Sequence, residues 1–570
     1  MFTTKKSSLI TPKKSAPSKS ASPEFVNPSK NGFVNASLKE SAKTLSGNGA
    51  LKYSSTGNDF VDQFGKIGSF KTPRAFSDIY NDMSVLWSLN KEYALRFVLY
   101  LRLITRTVKL SDGTKTETVQ RGAGLKHEGI MRMIWLHTSQ PETFWKNINL
   151  FISAGSWKDV FTMLSYDLQY NGWNGRVLDW NKLGQLILAG LENPQTSELI
   201  KKYLPQLRSN GKCTTLESQA NNIIAKWICS LLFGSKEDSA TYRQYRVLKS
   251  KGTAHEWQKL ISQGKHKLID FGTVHGRALS LLVSGKYIEN QNLTSEYEAW
   301  INAQPIAKFT GYPHELFKKL PQKQFQIQTL NKQFDGLVET AKKGAKLGSS
   351  MIVVRDTSGS MSSPASGTSQ SCFDIAKALA LFFSEMLPQG YFANSFIEFN
   401  SSAKMHQWKG STAFEKWSAD KTQYVGGTEF QSVIRLFGEI LRGGVSESEF
   451  PTGIICISDS EFNPSQLGKT NVESALMALR EYGFSEEYVS NFKIVLWNLQ
   501  SNYYGDNTGK KFETYGNVDN VYYFSGYDGS VIAFLTGFEA KEGQETAEPK
   551  NAEELFNAAM NQEILQMTQI

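Results

Sequence analysis

The stretch Ser350-Met-Ile-Val-Val-Arg-Asp-Thr-Ser-Gly-Ser360 decides how the second half of this chain folds. Its first part, Ser350–Arg355, is a short run rich in β-branched residues, which favours a buried strand. Its second part, Asp356–Ser360, places one carboxylate and two hydroxyls in a tight turn, and Gly359 gives the backbone freedom between the two serines. A buried strand that ends in oxygen donors is typical of an α/β sheet with a ligand site beyond the carboxyl end of its strands.

Strand and helix patterns alternate after Gly348, beginning with this stretch. Predicted strands are Ser395–Phe399, Gly453–Ser458, Phe492–Leu499 and Val521–Phe524, the last leading into Val531–Leu535. Predicted helices are Phe373–Leu387, Phe430–Leu441 and Val472–Tyr482. Because the strands are almost continuously apolar, we expect a doubly wound parallel sheet with helices on both faces, a Rossmann-like α/β domain over residues 346–537. Residues 538–570 are predicted to form a charged linker and a last amphipathic helix that docks on either part of the chain.

Two further segments bring oxygen donors to the same edge of the predicted sheet. Asp459 follows the strand Gly453–Ser458, and Thr428 lies in Gly426-Gly-Thr428-Glu-Phe430, a loop that opens a helix. Mg²⁺ takes about six oxygen ligands and keeps several waters, which suits hydroxyls and carboxylates. The predicted ligands of Mg²⁺, or of another divalent cation, are Asp356, Ser358, Ser360, Thr428 and Asp459. So few protein ligands leave a position open, so we expect a docking site that accepts a carboxylate or phosphate oxygen.

Two other interpretations of Asp356 compete with a metal site. Asp356 and the serines can simply cap the helix that follows. Alternatively, an Asp after a buried strand is the nucleophile of aspartyl-phosphate enzymes, but these need a second Asp two residues on, where this chain has Ser358. The sequence also lacks G-x-x-x-x-G-K-[ST], H-E-x-x-H and G-x-S-x-G. We therefore expect a binding protein rather than an enzyme.

At these residues the chain resembles the von Willebrand factor A domain, over about residues 346–537. The resemblance implies that the five predicted ligands correspond to the metal-ion-dependent adhesion site (MIDAS) of that family. Arg355 departs from the family pattern, because an apolar residue is usual there. We expect Arg355 to reach the rim of the metal site and to weaken or retune cation binding.

The first half of the chain has a different pattern. Apolar residues between 73 and 345 recur at helical spacing, as in Ala94–Leu101 and Ile130–Leu136, and predict amphipathic helices stacked as a solenoid with a degenerate repeat. Residues 1–72 are rich in Ser, Lys, Asn and Gly and are predicted to form a disordered basic tail.

Charge separates the two halves as clearly as hydrophobic pattern does. Residues 1–345 carry a net charge of +20, whereas residues 346–570 carry −11. A basic helical surface suits a polyanion such as nucleic acid. The candidate RNA-binding residues are Arg102, Arg106, Arg121, Lys126, Arg132, Lys158, Lys226, Arg243 and Arg246. The alternative for each is a solvated helix face or a structural ion pair, and Lys158-Asp159 in particular can pair with neighbours.

Four short segments of the helical half are similar to landmarks of TROVE modules and of a related TROVE-like family. They are Arg121-Gly-Ala-Gly124, Gly155-Ser-Trp-Lys-Asp159, Ala225-Lys-Trp227 and Tyr242-Arg-Gln-Tyr245. A TROVE module followed by an A domain resembles the Ro autoantigen and its bacterial relatives. That resemblance implies a ring of HEAT-like helical repeats closed by the A domain. It also implies small non-coding RNAs of the Y type on the basic outer face and single-stranded ends of misfolded RNAs in the central hole.

Together these observations predict a non-enzymatic ribonucleoprotein component of Ro type. Its helical module, residues 73–345, would bind RNA, and its A domain would dock a protein partner that offers a carboxylate to the metal. The alternative is a metal-dependent assembly scaffold whose helical half binds peptides instead of RNA. The four cysteines show no C-x-x-C spacing, and the sequence contains neither a signal-peptide pattern nor a long apolar run. We therefore expect a cytoplasmic protein with no membrane partner.

Overall fold

The chain folds into a helical part followed by an α/β part. The computed structural model describes residues 43–45, 48–53, 55–71, 73–104, 106–109, 117–120, 122–170, 176–208, 213–234, 238–252, 255–274, 276–309, 311–344, 350–365, 368–423, 425–459, 462–465, 468–500, 518–526 and 549–570. Residues 43–570 belong to one compact unit. Within the described residues, no helix is both long enough and apolar enough to cross a membrane.

Helices account for most of the chain before residue 345. They are α1 (Asp59–Gly65), α2 (Phe76–Leu89), α3 (Lys91–Arg102), α4 (Lys126–Ser139), α5 (Pro141–Ala154), α6 (Trp157–Tyr170), α7 (Trp180–Glu192), α8 (Ser197–Tyr203), α9 (Leu216–Phe233), α10 (Ser239–Ser250), α11 (Glu256–Ser262), α12 (Gly276–Ser284), α13 (Tyr287–Asn290), α14 (Thr294–Ala303), α15 (Pro313–Phe317) and α16 (Gln324–Gly344). Two antiparallel hairpins interrupt them: β1 (Lys43–Leu45) with β2 (Leu51–Tyr53), and β3 (Arg106–Lys109) with β4 (Glu117–Gln120). The helical spacing of the apolar residues thus predicted the character of this part correctly.

The α/β part is built on a six-stranded sheet. Its strands are β5 (Met351–Asp356), β6 (Ser395–Phe399), β7 (Ala403–Gln407), β8 (Gly453–Ser458), β9 (Lys493–Asn498) and β10 (Val521–Ser525), in the order β10-β9-β8-β5-β6-β7. All neighbouring pairs are parallel except β6 with β7. The expectation of a purely parallel sheet is therefore wrong at one edge. The sequence Ala403-Lys-Met-His-Gln407 lacks the apolar continuity of the other strands, and its residues are half-buried or exposed. Val531–Leu535 lies outside the described residues.

Helices cover both faces of this sheet. Helix α17 (Cys372–Ser384) shares a core with the helical part, whereas α19 (Gln431–Arg442) and α20 (Asn471–Tyr482) pack on the opposite face. The remaining helices of this part are α18 (Ala413–Ala419), α21 (Glu486–Asn491), α22 (Ala552–Met560) and α23 (Glu563–Gln566). Side chains alternate accordingly, with Val353 in the first core and Val354 in the second.

Part of the predicted N-terminal tail is ordered, which corrects the expectation of disorder over residues 1–72. Asn58 caps α1 by accepting hydrogen bonds from the backbone N–H groups of Phe60 and Val61. Phe60 and Phe64 are buried, and so is much of the short 3₁₀ segment that follows. This apolar cluster is too short to stand out from its polar surroundings in sequence, and it is ordered by contacts with distant residues. Residues 1–42 lie outside the described chain.

The C-terminal helices join the helical part to the α/β part. Phe556 on α22 is buried among the aromatic rings of Phe60, Phe64, Tyr93 and Phe97, with ring centroids 5.6–6.2 Å apart. Helix α22 also packs against β10. The sequence left open which part this helix would contact, and in the structure it contacts both.

The TROVE-like segment Gly155–Asp159 has a structural role in the packing of the helices. Arg102 is buried and forms two hydrogen bonds with the carboxylate of Asp159, at 2.8 and 3.0 Å. The same carboxylate accepts from the backbone N–H of Ser156 at 3.0 Å. A Cβ at Gly155 would collide with Asp159 and crowd the Arg102 guanidinium. The motif Gly155–Asp159 therefore supports a buried ion pair.

We predict that Phe556→Ala lowers the free energy of unfolding by about 3–5 kcal/mol, because it leaves a cavity among four aromatic rings. Urea unfolding followed by tryptophan fluorescence measures this change. Met567→Ala is the matched control, since Met567 lies in the same segment but is 52% exposed, and it should change stability by less than about 0.5 kcal/mol. Equal effects of the two substitutions would contradict the central packing role of Phe556.

Candidate metal site

Asp356 and Asp459 lie at the carboxyl ends of two neighbouring parallel strands. Asp356 is the last residue of β5, and Asp459 directly follows β8, which pairs with β5. From β5 the chain runs outward through β6 to one edge of the sheet and then returns to build the other side from β8. The two carboxylates therefore lie at the switch point, where doubly wound sheets bind their ligands.

The carboxylate of Asp356 is held by two donors in a fully buried position. Its Oδ1 accepts from the backbone N–H of Ser358 at 2.7 Å, and its Oδ2 accepts from the hydroxyl of Ser458 at 2.5 Å. Burial and then the neighbouring charge of Asp459 raise the pKa of Asp356 to about 7, although both hydrogen bonds act in the opposite direction. The repulsion between the two buried carboxylates is the interaction that a bound cation would relieve.

The hydroxyls of Ser358 and Ser360 follow in the same turn. Their Oγ atoms lie 3.1 Å apart, and the backbone continues as a 3₁₀ turn over Gly359–Ser362. The next helix, α17, is capped by Ser371, which accepts from the backbone N–H of Asp374 at 3.0 Å. The interpretation of Asp356 and the serines as caps of that helix is therefore wrong.

Thr428 reaches this edge of the sheet on a loop tied to the ends of three strands. The backbone N–H of Val425 donates to the carbonyl of Thr357 after β5, and that of Glu429 donates to the carbonyl of Asn400 after β6, both at 2.7 Å. After β8, the N–H of Asn463 donates to the carbonyl of Thr428 at 2.9 Å. These anchors hold Thr428, which is buried, at the same edge as the predicted ligands.

The donor set fits a hard divalent cation. It consists of two buried carboxylates and three hydroxyls, the oxygen ligands that Mg²⁺ accepts. No group of three His, Cys, Asp or Glu residues that could hold a metal ion occurs in the described part of the chain, so a cation here would depend on the hydroxyls. The predicted site residues do not include Ser458, which donates to Asp356 from the end of β8; its place immediately before Asp459 was the signal for it in the sequence.

Arg355 does not reach the site, which corrects the expectation of a retuned metal rim. It is fully buried on the opposite side of β5, with its guanidinium carbon 4.6 Å from the ring centroid of Phe396. Its Nη1 donates to the carboxylate of Asp420 at 2.7 Å. Burial alone would raise the pKa of Asp420, but the charge and hydrogen bond of Arg355 hold it well below its usual range. Successive strand residues face opposite ways, so the neighbour of Asp356 points into the other core.

Two of the candidate RNA-binding residues are buried, and for these the prediction is wrong. Arg102 pairs with Asp159, as described above, and Arg132 is fully buried beside Glu128, donating to it at 2.8 Å. Both guanidinium groups are neutralised by a neighbouring carboxylate and have no surface to offer to a phosphate. Burial depends on contacts across helices that no local spacing reveals.

The other candidate RNA-binding residues remain predictions. Lys158, Arg243 and Arg246 are exposed, and Lys126 and Lys226 are half-buried. Burial, followed by the nearby charge of Lys158, lowers the pKa of Lys126. Arg121 lies outside the described residues, and the same holds for the side chain of Arg106.

Comparisons with known proteins assign no activity to this site. Residues 350–569 match a family described as a domain of unknown function, DUF7788. No curated protein matches the chain. The matched segment begins one residue before β5 and contains all five predicted metal ligands, so it is the α/β part and the C-terminal helices that are similar to this family.

We predict that Asp356→Asn stabilises the protein by about 1–2 kcal/mol at pH 8 with a chelator present, because it removes one of two buried like charges. Urea unfolding measures the change. Glu481→Gln, which neutralises an exposed carboxylate, should leave stability nearly unchanged. A marked loss of stability in Asp356→Asn would mean that the hydrogen bonds to Asp356 outweigh the repulsion from Asp459.

Proposed function

We propose that the α/β part binds a divalent cation through Asp356, Ser358, Ser360, Thr428 and Asp459 and uses it to dock a protein partner. One observation carries the proposal: Asp356 and Asp459 are buried together at the switch point of the sheet. A bound cation would offset their repulsion and supply an open position for an oxygen of the partner. The order of the ligands and the mostly parallel sheet support the resemblance to a von Willebrand factor A domain.

A carboxylate is the ligand that the open coordination position of the cation favours. A cation held by two carboxylates and neutral hydroxyls has little excess positive charge, so a singly charged oxygen ligand completes it better than a highly charged one. The hydroxyls of Ser358 and Ser360 lie beside Asp356 and would present the cation toward the outside of the sheet. We accordingly propose binding, not catalysis, as the role of this site.

Titration with Mn²⁺, followed by water-proton relaxation, tests the metal. We expect one bound ion per chain, at least about a 100-fold loss of affinity in Asp356→Ala and about a tenfold loss in Thr428→Ala, which removes a weaker neutral ligand. An acidic peptide should lower the relaxation enhancement by displacing water from the bound ion.

Glu481→Gln is the control for this titration, because it alters an exposed carboxylate away from the site. Wild-type affinity in folded Asp356→Ala would place the ion elsewhere. A wild-type chain that binds no Mn²⁺ would remove the basis of the docking proposal.

We further propose that the helical part binds RNA, in the manner of a Ro-type protein with a ring of HEAT-like repeats. The net charge of +20 over residues 1–345 supports this. So does the arrangement of the remaining candidates: Arg243 and Arg246 are exposed three residues apart on α10 and share a face of that helix. Lys226 lies over the ring of Tyr242, 6.0 Å from its centroid.

A second group of candidates combines charge with aromatic surface. Lys126 and Lys158 are close enough for their charges to interact. Nearby, Tyr166 and Tyr170 form an edge-to-face pair, and Tyr170 is half exposed. Single-stranded nucleic acids bind such surfaces by backbone contacts to cations and by stacking of bases on aromatic rings.

Binding of single-stranded RNA between 50 and 200 mM salt tests this second proposal. Each of the double variants Lys126→Glu/Lys158→Glu and Arg243→Glu/Arg246→Glu should weaken binding and reduce the slope of log K against log salt by about 1.4, the value for two lost contacts to a single strand. Fluorescence anisotropy of labelled RNA gives both quantities.

Lys404→Glu/Lys409→Glu provides the charge-matched control, since both lysines are exposed on the α/β part. Asp356→Ala should also leave RNA affinity unchanged, because the metal site and the basic surface are separate in the proposal. Absence of wild-type binding at low salt, or binding without a salt slope, would favour the alternative, a metal-dependent scaffold whose helical part binds peptides.

A further inference from the structure

A cavity of about 680 Å³ lies between α12, α15 and α16 of the helical part and residues Thr368 and Gln370 of the α/β part. Its volume is in the range of small-molecule binding sites. It is separate from the metal site and from the candidate RNA-binding residues, none of which lines it.

The interior of this cavity is mostly apolar. Val283, Phe309, Leu316 and Leu330 are buried residues of its wall. Three buried polar side chains, His314, Thr329 and Gln333, also line the cavity. Thr329 donates to the carbonyl of Phe325 at 2.6 Å, and Gln333 accepts from Ser280 at 2.8 Å and donates to the carbonyl of Gly276 at 3.3 Å. An apolar chain therefore fits the interior better than a group that needs hydrogen bonds, such as a nucleobase.

The rim of the cavity is basic. Three cationic side chains, Arg277, Lys318 and Lys319, are among the lining residues, against one carboxylate, Glu315. Glu315 is bound by Arg277 in a bidentate pair at 2.6 Å, so the two lysines make the rim positive. Both lysines are exposed.

Two exposed leucines extend the apolar surface outward. Leu281 is 70% exposed and Leu320 is 48% exposed, and both line the cavity. A ligand that covers these two leucines removes their apolar surface from water, and this favours binding.

We propose that this cavity binds an amphiphile with an apolar chain and one anionic head group, of the chemical class of a medium- or long-chain carboxylate. The apolar chain of the ligand would occupy the interior of the cavity and cover Leu281. Its anionic head group would lie at the rim beside Lys318. Charge complementarity at the rim selects an anionic head over a neutral or cationic one.

Isothermal titration of the full chain with dodecanoate, below its micelle concentration, tests the proposal. We expect saturable binding at one site. Lys318→Glu should weaken it about tenfold by reversing the charge beside the head, and Leu281→Asp should weaken it by at least as much. Both positions are exposed, so both variants should fold, which thermal unfolding checks.

Lys409→Glu is the control variant, because it reverses an exposed charge that does not line the cavity, and it should bind as the wild type does. Acetate, which is a head group without a chain, should bind at least tenfold more weakly than dodecanoate. The same is expected of dodecyltrimethylammonium, which has the chain but a cationic head group. The proposal is overturned if wild type shows no saturable binding, if Lys318→Glu and Leu281→Asp bind normally, or if the cationic amphiphile binds equally well.

Discussion

The parallel pairing of β5 with β8 is the constraint on which the candidate site depends. It places Asp356 and Asp459 at the ends of two neighbouring strands in the centre of the sheet, so two carboxylates share a buried position. Their repulsion is opposed by Ser458, by the backbone N–H of Ser358 and by the fixed turn that follows. Taken together, these features form a preorganised anionic centre, which a cation would neutralise.

The same sheet also joins the two parts of the molecule. One of its faces packs through α17 into the core of the helical part, where Phe317 stacks on Trp417 with ring centroids 4.2 Å apart. Gln370, in the segment between Ser360 and α17, donates to the carbonyl of His314 at 3.1 Å. The segment that follows the three predicted ligands Asp356, Ser358 and Ser360 is thus in direct contact with the helical part, close to the basic-rimmed cavity.

The basic residues of the helical part are of two kinds, those buried in ion pairs and those exposed to solvent. Arg102 and Arg132 are buried in ion pairs and contribute to the packing of the helices. Arg243, Arg246 and Lys158 are exposed and remain available to a polyanion. Each buried arginine is cancelled by its carboxylate partner in the net charge, so the number of arginines, and not the net charge, overstates the basic surface.

The sequence by itself determined the α/β character after residue 350, the strands Ser395–Phe399 and Gly453–Ser458, and the strand-end positions of Asp356 and Asp459, because strand patterns are local. Only the tertiary structure decided which way Arg355 points, which arginines are buried, and where Phe60 and Phe556 pack. These outcomes depend on contacts between residues far apart in the chain, as Asn58 and Glu553 or Arg355 and Asp420 illustrate. The local sequence pattern indicates which face of a helix or strand a residue lies on. It does not indicate which distant residues pack against that face.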